Sequence, residues 1–218
     1  MRCVPLMSFA LRPLRAVLLG QDAWSEPASA TGRAFGIGAV RAWRDLDRMF
    51  PASVRASTQS LMAARFARPD LARRSADWPA LLELIETGQL DVEPHAGIAD
   101  RHEAQGVLLL NASLTVSRFR RDIDPHQARG HMPLWRPAML AVLRHVAKAG
   151  HPVGFRGFGA TAEDLFREAG LNDDPRHGGF NRPRPAYADA FLALPNPFCG
   201  RECASGAGCC IRDRLVMP

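Results

Sequence analysis

The chain has 218 residues, of which 47% are hydrophobic and 23% charged, a composition typical of a folded globular protein and not of a disordered one. Lys and Arg outnumber Asp and Glu by 28 to 22, and the resulting net charge of +6 favours an anionic partner, nucleic acid first and a membrane surface second. No run approaches the roughly 18 apolar residues of a membrane span, and Arg12 and Arg15 interrupt any signal-peptide core, so we expect a cytoplasmic protein.

Short apolar runs alternate with helical patterns along the chain, as in a parallel sheet covered by helices. Four apolar runs are expected as strands: 16–19, 106–110, 150–155 and 190–194. Three segments have helical spacing: 78–87, 135–149 and 161–169, the last with Thr161 as its expected N-cap. The sequence therefore predicts an α/β fold, a single domain over residues 1–218 with a central parallel four-stranded sheet flanked by helices.

Polar residues follow the expected strands at the edge where ligands bind in open parallel sheets. Gln21 and Asp22 come directly after the first run, and Asn111 ends the second. Taken singly, an Asp or Asn at such a place is most simply a turn or cap residue. Their combination with nearby aromatic residues is what indicates a pocket for a flat ligand.

Two stretches carry a resemblance to a known family. Residues 20–35 read GQDAWSEPASATGRAF, and 104–116 read AQGVLLLNASLTV. The first resembles the GQDPYH motif region of the uracil-DNA glycosylases, with seven residues at the family's distances: Gly20, Gln21, Asp22, Trp24, Pro27, Gly32 and Phe35. The second is similar to the family's segment around its uracil-reading Asn. His126, Arg129 and Gly130 also match a His-x-x-Arg-Gly stretch of the family.

The sequence departs from the family pattern at three places. Trp24 stands where the family has the Tyr that excludes the thymine methyl group, and Ser25 stands where it has His. The family's His-Pro-Ser-Pro-Leu loop is best matched by 194–198, LPNPF. Both prolines are kept there, but Leu194 replaces the His that supports the departing uracil.

The resemblance implies a three-layer glycosylase fold and a monofunctional enzyme that flips uracil out of DNA and hydrolyses its N-glycosidic bond. It implies Asp22 as the catalytic carboxylate. Four residues would bind uracil: Gln21, Trp24, Phe35 and Asn111. Four others would contact DNA, with Phe198 as the apolar wedge: Asn196, Phe198, Arg118 and Arg184.

The resemblance leaves open what supports the leaving group, for which the candidates are His126, His177 and Arg184. It implies no cofactor and no metal. The expected partner is uracil-containing DNA, single- or double-stranded, bound by a monomer that has no membrane partner.

Four cysteines crowd the segment 199–210: Cys199, Cys203, Cys209 and Cys210. An adjacent Cys pair is unlike the Cys-x2-Cys steps of zinc ribbons and iron–sulfur clusters, so free thiols or a disulfide are favoured. Two alternatives stay open: a non-catalytic protein of the same fold that binds uracil or abasic DNA, and an iron–sulfur protein that uses these cysteines.

Overall fold

The computed structural model describes residues 14–48, 53–116, 131–149 and 153–171, together with residues 189 and 193. These residues fall into two compact units. The first unit contains residues 14–41 and the described residues from 95 to 171, and the second contains the described residues from 42 to 94 with residues 189 and 193. The expectation of a single domain over the whole chain stays a prediction.

The first unit is built on a parallel sheet. Its described strands are β1 (Ala16–Asp22), β2 (Val107–Ser113) and β3 (Gly154–Gly157), in the order β2-β1-β3. In register, Val17 of β1 pairs with Leu108 of β2 on one side. On the other side the same residue pairs with Phe155 of β3. The α/β class and the parallel sheet are confirmed. In the expected fourth strand at 190–194, residue 193 alone is described, and it is helical.

The strands differ from the expected runs at their ends. β1 continues to Asp22 and β2 to Ser113, because each supplies the other with ladder partners as far as the pair Asp22–Ser113. Asn111 therefore lies inside a strand and does not follow one. β3 begins at Gly154 and not at residue 150, and the preceding sequence contains Pro152, which has no amide hydrogen for a ladder.

The described α-helices are α1 (Ser53–Arg65), α2 (Trp78–Glu86), α3 (His95–Ala104), α4 (Met132–Ala147) and α5 (Ala160–Ala169). The three expected helices are confirmed as α2, α4 and α5 with shifted ends. The expected N-cap was wrong: α5 is capped by Gly159, whose φ of 88° suits glycine, and no side chain caps it. Within the described part of the chain, none of the helices is both long and apolar enough to cross a membrane.

The core of the first unit lies between the sheet and the pair α4 and α5. Alternate strand residues such as Val17, Leu110 and Phe155 face this layer and are at most 2% exposed. Leu143 of α4 and Phe166 of α5 pack against them. Because strand side chains alternate between faces, the residues in between, including Gly20, lie on the opposite face of the sheet.

The second unit is helical, with short 3₁₀ turns around α1 and α2. Gln59 of α1 is 1% exposed, and its side-chain Nε2 donates hydrogen bonds to the carbonyl oxygens of Leu71 (3.1 Å) and Arg74 (3.0 Å). A buried side-chain amide that bonds two backbone carbonyls ties the turns to the helix. On the surface, the hydrogen bond from Arg44 holds the pKa of the Glu86 carboxyl below its ordinary value.

Candidate active site

The predicted uracil-binding and catalytic residues on β1 occupy its carboxyl end, where the strand passes out of the core. The strand is buried from Ala16 to Gly20, then exposed at Gln21 and partly buried at Asp22. By strand alternation, Gly20 and Asp22 point to the sheet face opposite α4 and α5, while Gln21 points toward α5. The Gly-Gln-Asp sequence thus divides its two polar side chains between the two faces.

Two predicted site residues, Asn111 and Phe35, lie close to Gly20. It pairs with Asn111 in the ladder, and a Cβ placed on it would lie 2.7 Å from Asn111 Oδ1 and 3.7 Å from a ring carbon of Phe35. The amide of Asn111 and the ring of Phe35 therefore lie over the same glycine. Asn111 is only 3% exposed, so its amide is held in a desolvated place where hydrogen bonds discriminate strongly.

Phe35 is held in the left-handed backbone region, with φ of 62°. A bulky residue in this region costs about 1–3 kcal/mol and persists only where its surroundings fix it. The loop that carries it is closed by a bridge between Ala30 and Ile37 and by a hydrogen bond of 3.0 Å from Thr31 Oγ1 to the carbonyl of Gly36. The amide of Ala34 also donates to the carbonyl of Leu109, at 3.3 Å.

An ion-pair cluster attaches this loop to α3. Arg33 binds Glu103 with two hydrogen bonds, from Nε (2.8 Å) and from Nη2 (2.6 Å), and it binds Asp100 from Nη1 at 2.7 Å. The Arg33 and Glu103 side chains are 22% and 19% exposed, so this two-pronged pair is shielded better than a surface salt bridge. It fixes the residue that lies two positions before Phe35.

The carboxylate of Asp22 lies beside Gln21 at the end of β1. Gln21 Nε2 donates to Asp22 Oδ2 at 2.8 Å, and Gln21 Oε1 accepts a long hydrogen bond of 3.4 Å from Thr161 Oγ1 on α5. Thr161, expected as a cap, thus bonds a site residue instead. Asp22 Oδ1 is shielded from solvent, a setting in which a carboxylate acts strongly on nearby positive charge.

Two more aromatic residues lie near this end of the sheet. Trp24, two residues beyond Asp22, is partly exposed. Phe158, one residue after β3, packs against Phe35 with ring centroids 4.9 Å apart and planes at 65°. An edge contact of this kind contributes about 0.5–1.5 kcal/mol, which offsets part of the backbone strain at Phe35.

The structure thus brings together Gly20, Asn111 and Phe35, with Asp22 and Gln21 on the same strand end. Trp24 is described as well, whereas the remaining predicted site residues lie outside the described residues: Arg118, His126, His177, Arg184, Asn196 and Phe198, with Leu194 and the four C-terminal cysteines. Among the described residues, no group of three or more His, Cys, Asp or Glu side chains could hold a metal ion.

Sequence reasoning missed two residues that support the site. Phe158 lies three residues after the third apolar run, 150–155, and nothing in the sequence indicated its contact with Phe35. Arg33 gave no signal, because its partner Glu103 is 70 residues away in the sequence.

Comparison with known proteins gives three findings on the sequence. The chain is 28% identical over 187 residues to the uracil-DNA glycosylase of Streptococcus equi subsp. zooepidemicus, covering 83% of this chain and 64% of that protein. It is 38% identical over 108 residues to the uracil-DNA glycosylase of Sinorhizobium medicae, covering 50% of this chain and 41% of that protein. The chain therefore spans less than two thirds of the length of these relatives. No protein-family model matches it.

Comparison of structures agrees with the sequence. The crystal structure of the wild-type UNG from Nitratifractor salsuginis aligns with a TM-score of 0.61 at 24% identity, covering 86% of this chain and 72% of that one. At this identity the match shows the fold. The resemblance drawn from the GQD and LLLN motifs is confirmed: in sequence and in fold, the chain is similar to the uracil-DNA glycosylases.

Proposed function

We propose that this protein removes uracil from DNA by hydrolysing the bond between the base and deoxyribose, which leaves an abasic site. The observation that carries the proposal is the meeting of the Asn111 amide and the Phe35 ring over Gly20, on the strand that ends in Asp22. An aromatic face, a buried amide and a carboxylate are what recognition and hydrolysis of a flipped pyrimidine nucleotide require.

Recognition of the base is assigned to Asn111 and Phe35. The Asn111 side chain donates an N–H to uracil O4 and accepts the N3–H of the base at its carbonyl oxygen. Cytosine inverts both groups at this edge, so a buried Asn amide rejects it by leaving polar groups unpaired. Phe35 provides the stacking surface, and Trp24 blocks the space beside C5, where thymine carries its methyl group.

Hydrolysis is assigned to Asp22. As the glycosidic bond breaks, positive charge develops on the sugar and negative charge on the departing base. The Asp22 carboxylate stabilises the sugar cation and orients the attacking water. Gln21 Nε2 bonds Oδ2 of this carboxylate, which holds the carboxylate plane in place before the substrate arrives.

DNA as the partner is supported by the basic balance of the chain, 28 Lys and Arg against 22 Asp and Glu. Phosphate contacts from basic residues give affinity without sequence preference. Arg118 and Arg184 are proposed for such contacts, Asn196 and Phe198 for the wedge loop, and His126 for leaving-group support. We further propose that the protein acts as a monomer in the cytoplasm.

The test is cleavage of a labelled oligonucleotide with a single uracil, single- and double-stranded, followed by alkali to reveal abasic sites. We expect wild type to cleave and Asp22→Asn to lose at least about 10²-fold in rate, because an amide cannot stabilise the sugar cation. The variant should still bind the DNA, since the two side chains have nearly the same shape.

Absence of cleavage by wild type, with retention of uracil or abasic DNA, would instead support the non-catalytic binder. Full activity of Asp22→Asn would contradict the role given to the carboxylate. A brown protein that absorbs near 400 nm would support the iron–sulfur alternative, but absorbance alone would not decide whether cleavage occurs.

A further inference from the structure

Phe158 lies against Phe35 but belongs to neither motif that indicated the site. Its ring centroid is 4.9 Å from that of Phe35, and the ring planes are 65° apart. Both rings are partly buried. One side of the Phe35 ring is therefore occupied by protein, and a planar ligand has to stack from another side.

The backbone of Phe158 is fixed to the strand that carries the site. Its amide donates to the carbonyl of Leu19 at 3.2 Å. Leu19 directly precedes Gly20, and a Cβ at position 20 would lie 3.7 Å from the Phe35 ring. Phe158 is therefore held by β1 through its backbone and contacts the Phe35 ring through its side chain. A residue whose own backbone is strained, as Phe35 is with φ of 62°, depends on such neighbours for its orientation.

We propose that Phe158 is a positioning residue that holds the Phe35 ring in the orientation on which the flipped uracil stacks. This inference rests on the proposed function. Phe158 contributes no hydrogen bond to the base and no charge to the reaction. Phe158 affects the strength of base binding, and it does so through the position of the Phe35 ring.

The first measurement is inhibition of the glycosylase by free uracil, compared with binding of abasic DNA, which has no base to stack. We expect Phe158→Ala to weaken uracil inhibition about threefold to tenfold and to raise KM, with kcat changed less. Affinity for abasic DNA should stay the same. Phe158→Tyr keeps the ring edge and should restore wild-type inhibition, whereas Phe158→Leu should not.

A matched control is Phe66→Ala, which removes a partly buried Phe in the second unit. It should leave uracil inhibition unchanged. Circular dichroism of each variant separates loss of folding from loss of positioning, and Phe158→Leu serves where Phe158→Ala does not fold.

A double-mutant cycle decides whether Phe158 acts through Phe35. In a Phe35→Ala background, Phe158→Ala should have no further effect on uracil inhibition. Additive losses would overturn the inference, since Phe158 would then contact the base by itself. Unchanged inhibition in folded Phe158→Ala and Phe158→Leu would overturn it as well. If wild type neither cleaves uracil-DNA nor binds uracil, the proposed function fails, and the positioning role fails with it.

Discussion

Asn111 occupies the space that a side chain at position 20 would need. A Cβ at position 20 would lie 2.7 Å from Asn111 Oδ1 and 3.2 Å from the Cβ of Ala34, and both distances are tighter than ordinary packing. The glycine that opens the GQD sequence is therefore expected to serve the proposed recognition of the base by its lack of a side chain and not by backbone flexibility. Because position 20 has no side chain, the buried Asn111 amide of β2 can lie close to the backbone of β1.

Gly20→Ala should displace Asn111 and with it the hydrogen bonds to the base. We expect kcat/KM on a uracil oligonucleotide to fall about 10²-fold, similar to the loss of one well-placed polar contact. Gly154→Ala is the control, because its new methyl group would have 3.8 Å to its nearest neighbour. Full activity in a folded Gly20→Ala protein would show that the amide does not need this position.

At the scale of secondary-structure elements, the strands and the loop that faces them differ in how well they can be predicted. The apolar runs before Asp22 and around Asn111 indicated two strands of a parallel sheet, because buried strands are continuously hydrophobic. The attachment of the Phe35 loop to α3 gave no such signal. The sequence of α3, HAGIADRHEA, has few large apolar residues, and neither α3 nor its ion pair with Arg33 follows from local spacing.

Arg33→Gln should loosen the loop that carries Phe35. We expect a loss of about 1–3 kcal/mol in the free energy of unfolding, because the partly buried Glu103 carboxylate keeps its charge and loses its partner. KM should also rise. Urea denaturation monitored by circular dichroism gives the first quantity, and steady-state kinetics give the second.

Arg68→Gln is the matched control for this change. Its pair with Asp70 is local and more exposed, with both side chains at 45%, so the variant should lose less than about 1 kcal/mol. Equal losses in the two variants would contradict the anchoring role of Arg33.

At the scale of the whole molecule, a binding face is located by where the charged residues lie and not by the net charge. The net charge of +6 indicated an anionic partner, but charge alone does not select DNA or place a binding face. The motif resemblance supplied that choice, and the sheet supplied the neighbouring strands that carry Asp22 and Asn111. Sequence could not supply the division of the described residues into two units, since it depends on contacts between distant segments.

Binding of DNA by a basic protein should depend on salt, whereas binding of a neutral base should not. We expect affinity for abasic DNA to fall at least about tenfold between roughly 50 and 200 mM salt, because bound counterions are released from the phosphates. Inhibition by free uracil should be constant over this range. Fluorescence anisotropy measures the DNA affinity, and inhibition kinetics measure the inhibition by uracil. A DNA affinity that does not change with salt would contradict phosphate contacts as its source.

The left-handed backbone conformation of Phe35 costs stability, whereas the aromatic ring at the same position is the proposed stacking surface for the base. Asparagine or glycine would adopt this conformation with less strain, yet neither offers a ring to stack on. A directed-evolution screen that rewards only heat resistance would be free to replace the aromatic residue, which would remove the proposed stacking surface without losing the fold. Position 35 should therefore be held constant in any library built to stabilise this scaffold.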